Sequence, residues 1–311
     1  MSREIIIQSQ DKLSIVEENC KHYSKSGFTA IQIGPIQPCK LSLKDDIYED
    51  WWKLYQPYSF EIGNPLGNKK DLINLCKEAH KYNLKVVVDI VLRHVASDDF
   101  DCTKKNENVS HNLLYNKYFW SNAQNINNYN DRWQCTHLAT GMPMLDYWNY
   151  DLQDLYIKFM DELISCGVDG FRLDQGKHYC LPFEDKRCHF WQRVFGKYKD
   201  KFNYAECIQC DKWLLDKYSE YINVLTDKEA SDKSKMVIYV ESHDSYLNNS
   251  EAGYTKNMED SMLLNEYENM LKYNKYSNIL FYERKPIKNR KKTDFNLYKS
   301  ERMSYINHKY I

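Results

Sequence analysis

The sequence predicts an α/β fold, a (β/α)8 TIM barrel with an insertion after the third strand. Short β-branched runs alternate with amphipathic stretches along the chain, the pattern of βα units around a parallel sheet. From about Val95 to Tyr150 a polar stretch, with an Asn-rich segment, interrupts this alternation. Removing this stretch leaves about 255 of the 311 residues, close to the roughly 250 of one barrel. One barrel with one insertion therefore fits the chain best.

The clearest elements lie before the insertion. Strands are predicted at residues 5–8, 28–35 and 84–92, with helices at 14–26 and 71–82. The third strand is apolar almost throughout, which is typical of a strand buried on both faces of a parallel sheet.

The alternation resumes after the insertion. Helices are predicted at residues 151–164, 187–198 and 212–221, and strands at 168–173, 203–205, 222–225, 237–240 and 278–281. Only residues 226–235 separate the sixth strand from the seventh, so a full crossover helix barely fits there. A last helix is expected at 300–310, where Met303, Ile306 and Tyr310 share one face and would close the ring.

Charge and hydropathy exclude several classes of protein. The chain has 43 basic and 44 acidic residues, a net charge of −1, so no nucleic acid or anionic membrane partner is expected. The basic run at residues 284–292 is interpreted as a solvated loop. The most apolar stretch, residues 86–92, is far shorter than the ~20 residues that span a bilayer. Residues 1–10 do not read as an export signal, so the sequence predicts a cytoplasmic protein.

The ten cysteines are expected to be reduced thiols in the core. Cys207 and Cys210 have the spacing of a redox or metal-binding pair. A lone pair without two further ligands is weak support for a zinc site.

Polar side chains follow several of the predicted strands. In a (β/α)8 barrel the active site lies at the carboxyl ends of the strands. His94, Asp174 and Glu206 follow the third, fourth and fifth strands, and His243 and Asp244 follow the seventh. Any one of them could be a helix cap or a structural histidine. Their combination predicts a catalytic site.

These segments resemble the α-amylase family, retaining glycoside hydrolases that act on α-glucans. Four matches occur in the family's order: DIVLRH at residues 89–94, GFRLDQGKH at 170–178, Glu206, and VESHD at 240–244. Weaker matches are YQPY at 55–58 and MPMLD at 142–146. In the family the insertion is domain B, which implies a barrel formed by residues 1–94 and 151–311 and a domain B at 95–150.

The resemblance implies three catalytic acids. Asp174 matches the nucleophile, Glu206 the general acid/base, and Asp244 the third acid, which binds sugar hydroxyls. Arg172 lies two residues before Asp174. Because side chains alternate along a strand, the two point to the same side of it. We expect its guanidinium to keep Asp174 ionised by lowering the pKa of that carboxyl.

The resemblance also implies a substrate-binding set. In addition to Arg172, it consists of two hydroxyl-binding histidines, a stacking ring and two residues on the leaving-group side, namely His94, His243, Tyr58, Lys177 and His178.

No cofactor is expected, and a structural calcium is doubtful. In the family, calcium is bound by an Asn at the position of Arg93, an Asp matching Asp146, and the backbone carbonyl of the residue matching His178. Arginine has five donors and no acceptor, so it cannot bind calcium. We therefore predict that Arg93 takes the metal's place, pairing with Asp146 and donating to the His178 carbonyl. The alternative is that Arg93 points to solvent.

The resemblance implies an α-1,4-glucan hydrolase that acts on starch, glycogen or maltooligosaccharides by retaining double displacement, and the sequence predicts that it is intracellular. Two alternatives stay open: a transglycosylase of the same family, and a non-catalytic glucan-binding or transporter-ancillary relative. The family's C-terminal β-sandwich domain is expected to be missing, since only about 29 residues follow Tyr282.

Overall fold

The computed structural model describes residues 3–121, 123–248, 255, 257–285, 287 and 295–310. Eight parallel strands, hydrogen-bonded in chain order, close into a barrel in which the last strand pairs with the first. This architecture confirms the predicted (β/α)8 fold. The strands are β1 (Ile5–Ser9), β2 (Ala30–Ile33), β3 (Lys85–Ile90), β4 (Gly170–Leu173), β5 (Tyr204–Glu206), β6 (Asn223–Leu225), β7 (Met236–Tyr239) and β8 (Asn278–Tyr282).

Helices follow the strands, and two short helices lie in the connection between the third strand and the fourth. They are α1 (Leu13–Lys25), α2 (Lys69–Lys81), α3 (His111–Leu114), α4 (Arg132–His137), α5 (Tyr150–Ser165), α6 (Phe190–Arg193), α7 (Lys212–Ser219), α8 (His243–Leu247), α9 (Asp260–Tyr273) and α10 (Glu301–Tyr310). The helix predicted at 187–198 is only α6 followed by a 3₁₀ turn, Phe195–Tyr198. Val194 and Gly196 both have low helix propensity there. Helix α9 had no counterpart among the predicted elements.

The barrel interior changes from apolar to polar along its axis. An apolar layer fills its middle and includes Ile6, Val87, Val237 and Leu280. Nearer the carboxyl ends, the register of β3 and β4 places Asp89 beside Arg172. The pairing of strands thus brings charged side chains from separate βα units to one end of the barrel.

Two expectations about the later units are confirmed. Between β6 and β7 the structure has only a 3₁₀ turn, Lys233–Lys235, in place of a crossover helix. Helix α10 buries Met303 and Ile306, and its Asn307 accepts a hydrogen bond from the Tyr267 hydroxyl of α9 and donates to the Ser26 carbonyl after α1. Helix α10 therefore joins the last helical unit to the first.

The long connection from β3 to α5 contains the short helices α3 and α4 and several isolated bridges, such as Trp120 with Leu145. Its apolar residues Leu113, Phe119 and Leu145 belong to the same continuous core as the barrel. The boundaries at residues 94 and 151 stay a prediction.

All ten cysteines are buried and free, as predicted.

The prediction of a solvated loop at residues 284–292 is wrong for its first two residues. Arg284 pairs with Glu241 and Asp260, and Lys285 pairs with Asp11 and Glu283. The physical reason is that these two cations form ion pairs with buried carboxylates. Residues 286 and 288–292 of the predicted loop lie outside the described residues. In the described part of the chain, no helix has the length and apolar character needed to cross a bilayer.

Candidate active site

A pocket of about 230 Å³ opens at the carboxyl ends of the strands. Five of the residues predicted for the site line it, namely His94, Asp174, Glu206, His243 and Asp244. The predicted Arg172 is buried next to the carboxylates of Asp174 and Glu206. The described residues that line the pocket are Trp51, Trp52, Tyr55, Gln56, His94, Phe100, Met142, Asp174, Gln175, Glu206, His243 and Asp244.

Arg172 holds the carboxylates together. Its Nη1 donates to both oxygens of Asp89 at 2.9 Å and to Asp174 at 2.8 Å, and its Nη2 lies 2.8 Å from Glu206 Oε1. The side chain of Arg172 is 1% exposed. Tyr55 donates its hydroxyl hydrogen to Asp89 at 2.8 Å. Three carboxylates from β3, β4 and β5 therefore share one buried cation.

This arrangement changes the expected pKa of Asp174. Burial raises the pKa of Asp174 well above its ordinary value, and the negative charges of Glu206 and Asp89 raise it further. Arg172 lowers that pKa as expected, but its charge is divided among three acids. Burial likewise raises the pKa of Asp89 to about 6. The prediction that Arg172 keeps the pKa of Asp174 low is wrong because the sequence did not show how many carboxylates converge on one guanidinium.

Asp244 lies in the first turn of α8, with 42% of its side chain exposed. Burial raises its pKa to about 7 and the charge of Glu206 adds to this, although water in the pocket weakens both effects. The pKa values of Asp89, Asp174 and Asp244 are therefore all raised by burial within one cluster of acids.

Both predicted histidines line the pocket as neutral rings. Nε2 of His94 donates to the Tyr55 carbonyl at 2.8 Å, and burial lowers the pKa of this ring to about 4. Burial also lowers the pKa of His243 well below its usual value, and the nearby Arg172 acts in the same direction.

The structure does not place Tyr58 in the pocket. Its backbone bonds to Pro38 and Ser110, and its half-buried ring packs against the main core. Tyr55, three residues earlier, lines the pocket in its stead. The reason is the 3₁₀ turn Trp51–Tyr55, whose three aromatic side chains line the pocket.

Lys177 and His178 also lie outside the pocket lining. Nζ of Lys177 donates to the Ile208 carbonyl at 3.1 Å, and Nδ1 of His178 donates to the Cys135 carbonyl at 2.9 Å. These contacts tie the loop after β4 to neighbouring segments.

The course of that loop is set by two residues directly after Asp174. Gln175 has a positive φ of 52°, which turns the chain. A Cβ at Gly176 would lie 2.6 Å from the Ala205 Cβ, so only glycine allows the loop to approach β5 this closely.

Several lining residues were missed by the sequence reasoning. Trp51 and Trp52 lie shortly before the YQPY segment, separated from it by two residues, and this aromatic pair was the available signal. Phe100 packs against Trp52 with ring centroids 5.0 Å apart. Phe100 and Asp99 both have positive φ angles, of 53° and 56°, a conformation that their residue types do not announce.

Arg93, at the position of the family's calcium-binding Asn, is 1% exposed. Nε donates to the His178 carbonyl at 3.2 Å, as predicted, and Nη2 donates to the carbonyls of Cys135 and Leu138 at 3.1 and 2.7 Å. The alternative of a solvent-facing Arg93 is wrong. The arrangement does not fit calcium, because a guanidinium already occupies the carbonyl that the metal would need.

The predicted pairing of Arg93 with Asp146 is also wrong. Across the described residues no ion pair joins the two; the Asp146 carboxylate accepts from the Trp148 N–H at 3.3 Å. It lines a separate cavity with Arg187 and His189. The end of α4 brings backbone carbonyls to Arg93, and these replace the carboxylate. Nor do the described residues contain a group of three or more His, Cys, Asp or Glu side chains able to hold a metal ion.

Comparison with known proteins gives this site a family. The model of the alpha amylase catalytic domain matches residues 18–280. The α-amylase of Clostridium acetobutylicum is 28% identical over 264 residues, which cover 75% of this chain and 34% of that protein. The α-amylase of Butyrivibrio fibrisolvens is 25% identical over 314 residues, covering 80% and 31%. The chain spans about a third of the length of these curated relatives.

Solved structures agree in fold. An α-amylase of Geobacillus thermoleovorans complexed with acarbose has a TM-score of 0.71 at 18% identity, over 99% of this chain and 77% of that one. A mutant of α-amylase I from Eisenia fetida complexed with maltohexaose has a TM-score of 0.71 at 17% identity, over 95% and 70%. A cyclomaltodextrin glucanotransferase scores 0.70 at 16% identity, over 99% and 80%. These structures show that the chain has the barrel fold of α-amylases. The family model, which matches more than half of the chain, shows more: the chain belongs to the α-amylase family.

Proposed function

We propose that this protein hydrolyses α-1,4-glucans with retention, with Asp174 as nucleophile and Glu206 as general acid/base. The observation that carries the proposal is the binding of both carboxyls to one guanidinium. Nη1 of Arg172 contacts Asp174 and Nη2 contacts Glu206, each at 2.8 Å. The two acids are therefore neighbours, and a retaining glycosidase needs its carboxyls ~5–5.5 Å apart.

The reaction follows from these roles. Asp174 attacks the anomeric carbon as Glu206 gives a proton to the departing glycosidic oxygen, and a covalent glycosyl–enzyme results. Glu206 then takes a proton from water, which attacks the same carbon and releases Asp174. Arg172 contacts Asp174 and Glu206 at once, so it holds the two acids beside each other in both steps.

An α-glucan suits the rest of the pocket. Flat aromatic side chains at Trp51, Trp52 and Phe100 offer surfaces for sugar rings. Asp244, His94 and His243 offer hydrogen-bonding groups for hydroxyls. Two structural neighbours are described as complexes with acarbose and maltohexaose, compounds of this substrate class.

The insertion is proposed to be held without metal. The buried Arg93 donates to the carbonyls of Cys135 and Leu138 in the insertion and of His178 in the loop after β4. One side chain thus links both segments at the place where the family binds calcium.

The proposal is tested by incubating the protein with soluble starch, maltoheptaose and pullulan and following the products by proton NMR. We expect cleavage of the first two, and α-anomers as the first products. Asp174→Asn should reduce kcat by several orders of magnitude, since an amide cannot replace the nucleophile. The matched control is Asp200→Asn, a change at an exposed residue before β5, which should retain wild-type kcat.

Other outcomes would reassign the protein. A β-anomeric first product contradicts retention, and wild-type rates in Asp174→Asn contradict the nucleophile. Products longer than the substrate would make the enzyme a transglycosylase. Tight binding of maltoheptaose without any cleavage would make it a non-catalytic glucan-binding relative.

A further inference from the structure

Gln8, near the carboxyl end of β1, contacts His243 through both atoms of its side-chain amide. Oε1 of Gln8 accepts from the backbone N–H of His243 at 2.9 Å, and Nε2 of Gln8 lies 2.9 Å from Nδ1 of the ring. Gln8 is 1% exposed and His243 is 3% exposed. Gln8 does not line the pocket and belongs to none of the motifs found in the sequence.

The first contact fixes the orientation of the amide. A backbone N–H can only donate, so the Gln8 atom that it meets must be the oxygen. The other atom is then the NH₂ group, which has no acceptor capacity. Because this group faces Nδ1 of His243, Nδ1 must accept and carries no proton. In a neutral ring the proton is therefore on Nε2.

The ring is neutral and its orientation is fixed. Burial lowers the pKa of His243 well below its usual value. The ring stacks on Tyr55, with centroids 5.2 Å apart and planes at 4°, and meets Trp51 edge-on at 5.3 Å. Its Nε2 lies 3.9 Å from Oδ1 of Asp244, which lines the pocket. The protonated nitrogen thus lies on the pocket side of the ring.

We infer that Gln8 is a positioning residue that sets the tautomer of His243, so that this histidine presents an N–H, and not a lone pair, to the pocket. The consequence for turnover rests on the proposed glucan hydrolysis. His243 then donates to a hydroxyl oxygen of the bound sugar or to Asp244, and it cannot accept a hydroxyl hydrogen.

The test replaces Gln8 by an isosteric residue that lacks the donor. In Gln8→Glu the carboxylate still accepts from the His243 N–H but has no hydrogen for Nδ1. We expect Nδ1 to become protonated at pH 7, either as the other tautomer or as an imidazolium, and kcat/KM on maltoheptaose to fall at least about tenfold. The direct readout is ¹⁵N NMR of histidine-labelled protein, with the His243 signals identified by their loss in His243→Gln.

A matched control has the same chemical change elsewhere in the barrel. Gln32 on β2 is 1% exposed, and its Oε1 accepts from the Tyr204 hydroxyl at 2.7 Å, a bond that a carboxylate preserves. In Gln32→Glu we expect wild-type His243 signals. His94, whose Nε2 donates to a carbonyl, serves as an internal reference for a neutral ring protonated on Nε2.

A wild-type His243 protonated on Nδ1, or unchanged ring signals in Gln8→Glu, would overturn the inference. If Gln8→Glu does not fold, the uncharged Gln8→Met replaces it; loss of the single Nε2–H form supports the inference, and its retention rejects it. The tautomer is measured without substrate. A wild type with the expected tautomer but no action on glucans would therefore reject the proposed function and leave the inference intact.

Discussion

Arg93 and Arg172 lie at the carboxyl ends of neighbouring strands, and each is 1% exposed, yet their surroundings differ in charge. Arg172 contacts three carboxylates, which raise its pKa although burial alone would lower it. Among the described residues, the hydrogen-bond acceptors of Arg93 are backbone carbonyls, and burial lowers its pKa. The first cation organises the carboxylates of the proposed active site. The second links segments of the chain.

The two arginines differ in how their surroundings affect stability and the pKa of neighbouring groups. Around Arg172 the acids outnumber the cation, so burial and mutual repulsion raise the pKa of Asp174. Such crowding destabilises the fold but keeps exchangeable protons in the pocket. The partners that the structure describes for Arg93 are neutral backbone carbonyls in the insertion and in the loop after β4. We therefore expect changes at Arg172 to alter chemistry and changes at Arg93 to alter stability.

The largest expected effect separates the two arginines directly. Arg172→Met leaves buried carboxylates without their cation, which should cost about 3–5 kcal/mol of stability and at least about 100-fold in kcat. Arg93→Met leaves three carbonyls without a donor and should cost about 2–4 kcal/mol, with kcat/KM of the folded enzyme within about threefold of wild type. Urea denaturation and maltoheptaose kinetics measure both. Equal losses of activity in the two variants would contradict the distinction.

The next effect is a gain in stability from a loss of charge. The folded-state pKa of Asp174 is raised, so its favourable contribution is present below about pH 4 and is lost as pH rises through that pKa. Asp174→Asn is neutral at every pH and retains an acceptor for Arg172. We expect it to unfold about 2 °C higher than wild type at pH 8, and the gain to shrink at pH 5. Calorimetry at both values checks this, and a gain that grows toward low pH would refute it.

A smaller effect distinguishes two buried tyrosines. Tyr55→Phe removes the hydroxyl that donates to Asp89, and should lower kcat/KM by about tenfold because Asp89 braces Arg172. Tyr147→Phe removes a hydroxyl that donates to the Thr136 carbonyl at 3.1 Å, close to Arg93. It should cost about 1 kcal/mol of stability and leave kcat/KM unchanged. The reverse pattern would show that the two regions are not separated in function.

The smallest expected effect is that of a chelator. If Arg93 holds the insertion in place of a metal, EDTA should leave the wild-type Tm within about 1 °C and the rate of starch cleavage unchanged. Thermal unfolding with and without EDTA measures this. Inactivation by EDTA that added calcium reverses would contradict the role proposed for Arg93.

The sequence alone was sufficient for the barrel, for the order of its units and for the carboxylates at its strand ends. Alternation of strands and helices is a local pattern; Asp174 and Glu206 directly follow apolar runs, and Asp244 comes four residues after one. Parallel strands in a closed barrel then place such residues at one end without further information.

Only the tertiary structure decided which neighbours these residues meet. It replaced Tyr58 by Tyr55, removed Lys177 and His178 from the pocket lining, and gave Arg93 carbonyl partners in place of Asp146. It also reversed the expected direction of the pKa of Asp174. The physical reason is that burial and the number of nearby charges depend on side chains from separate strands and loops, whose distances no local pattern in the sequence contains.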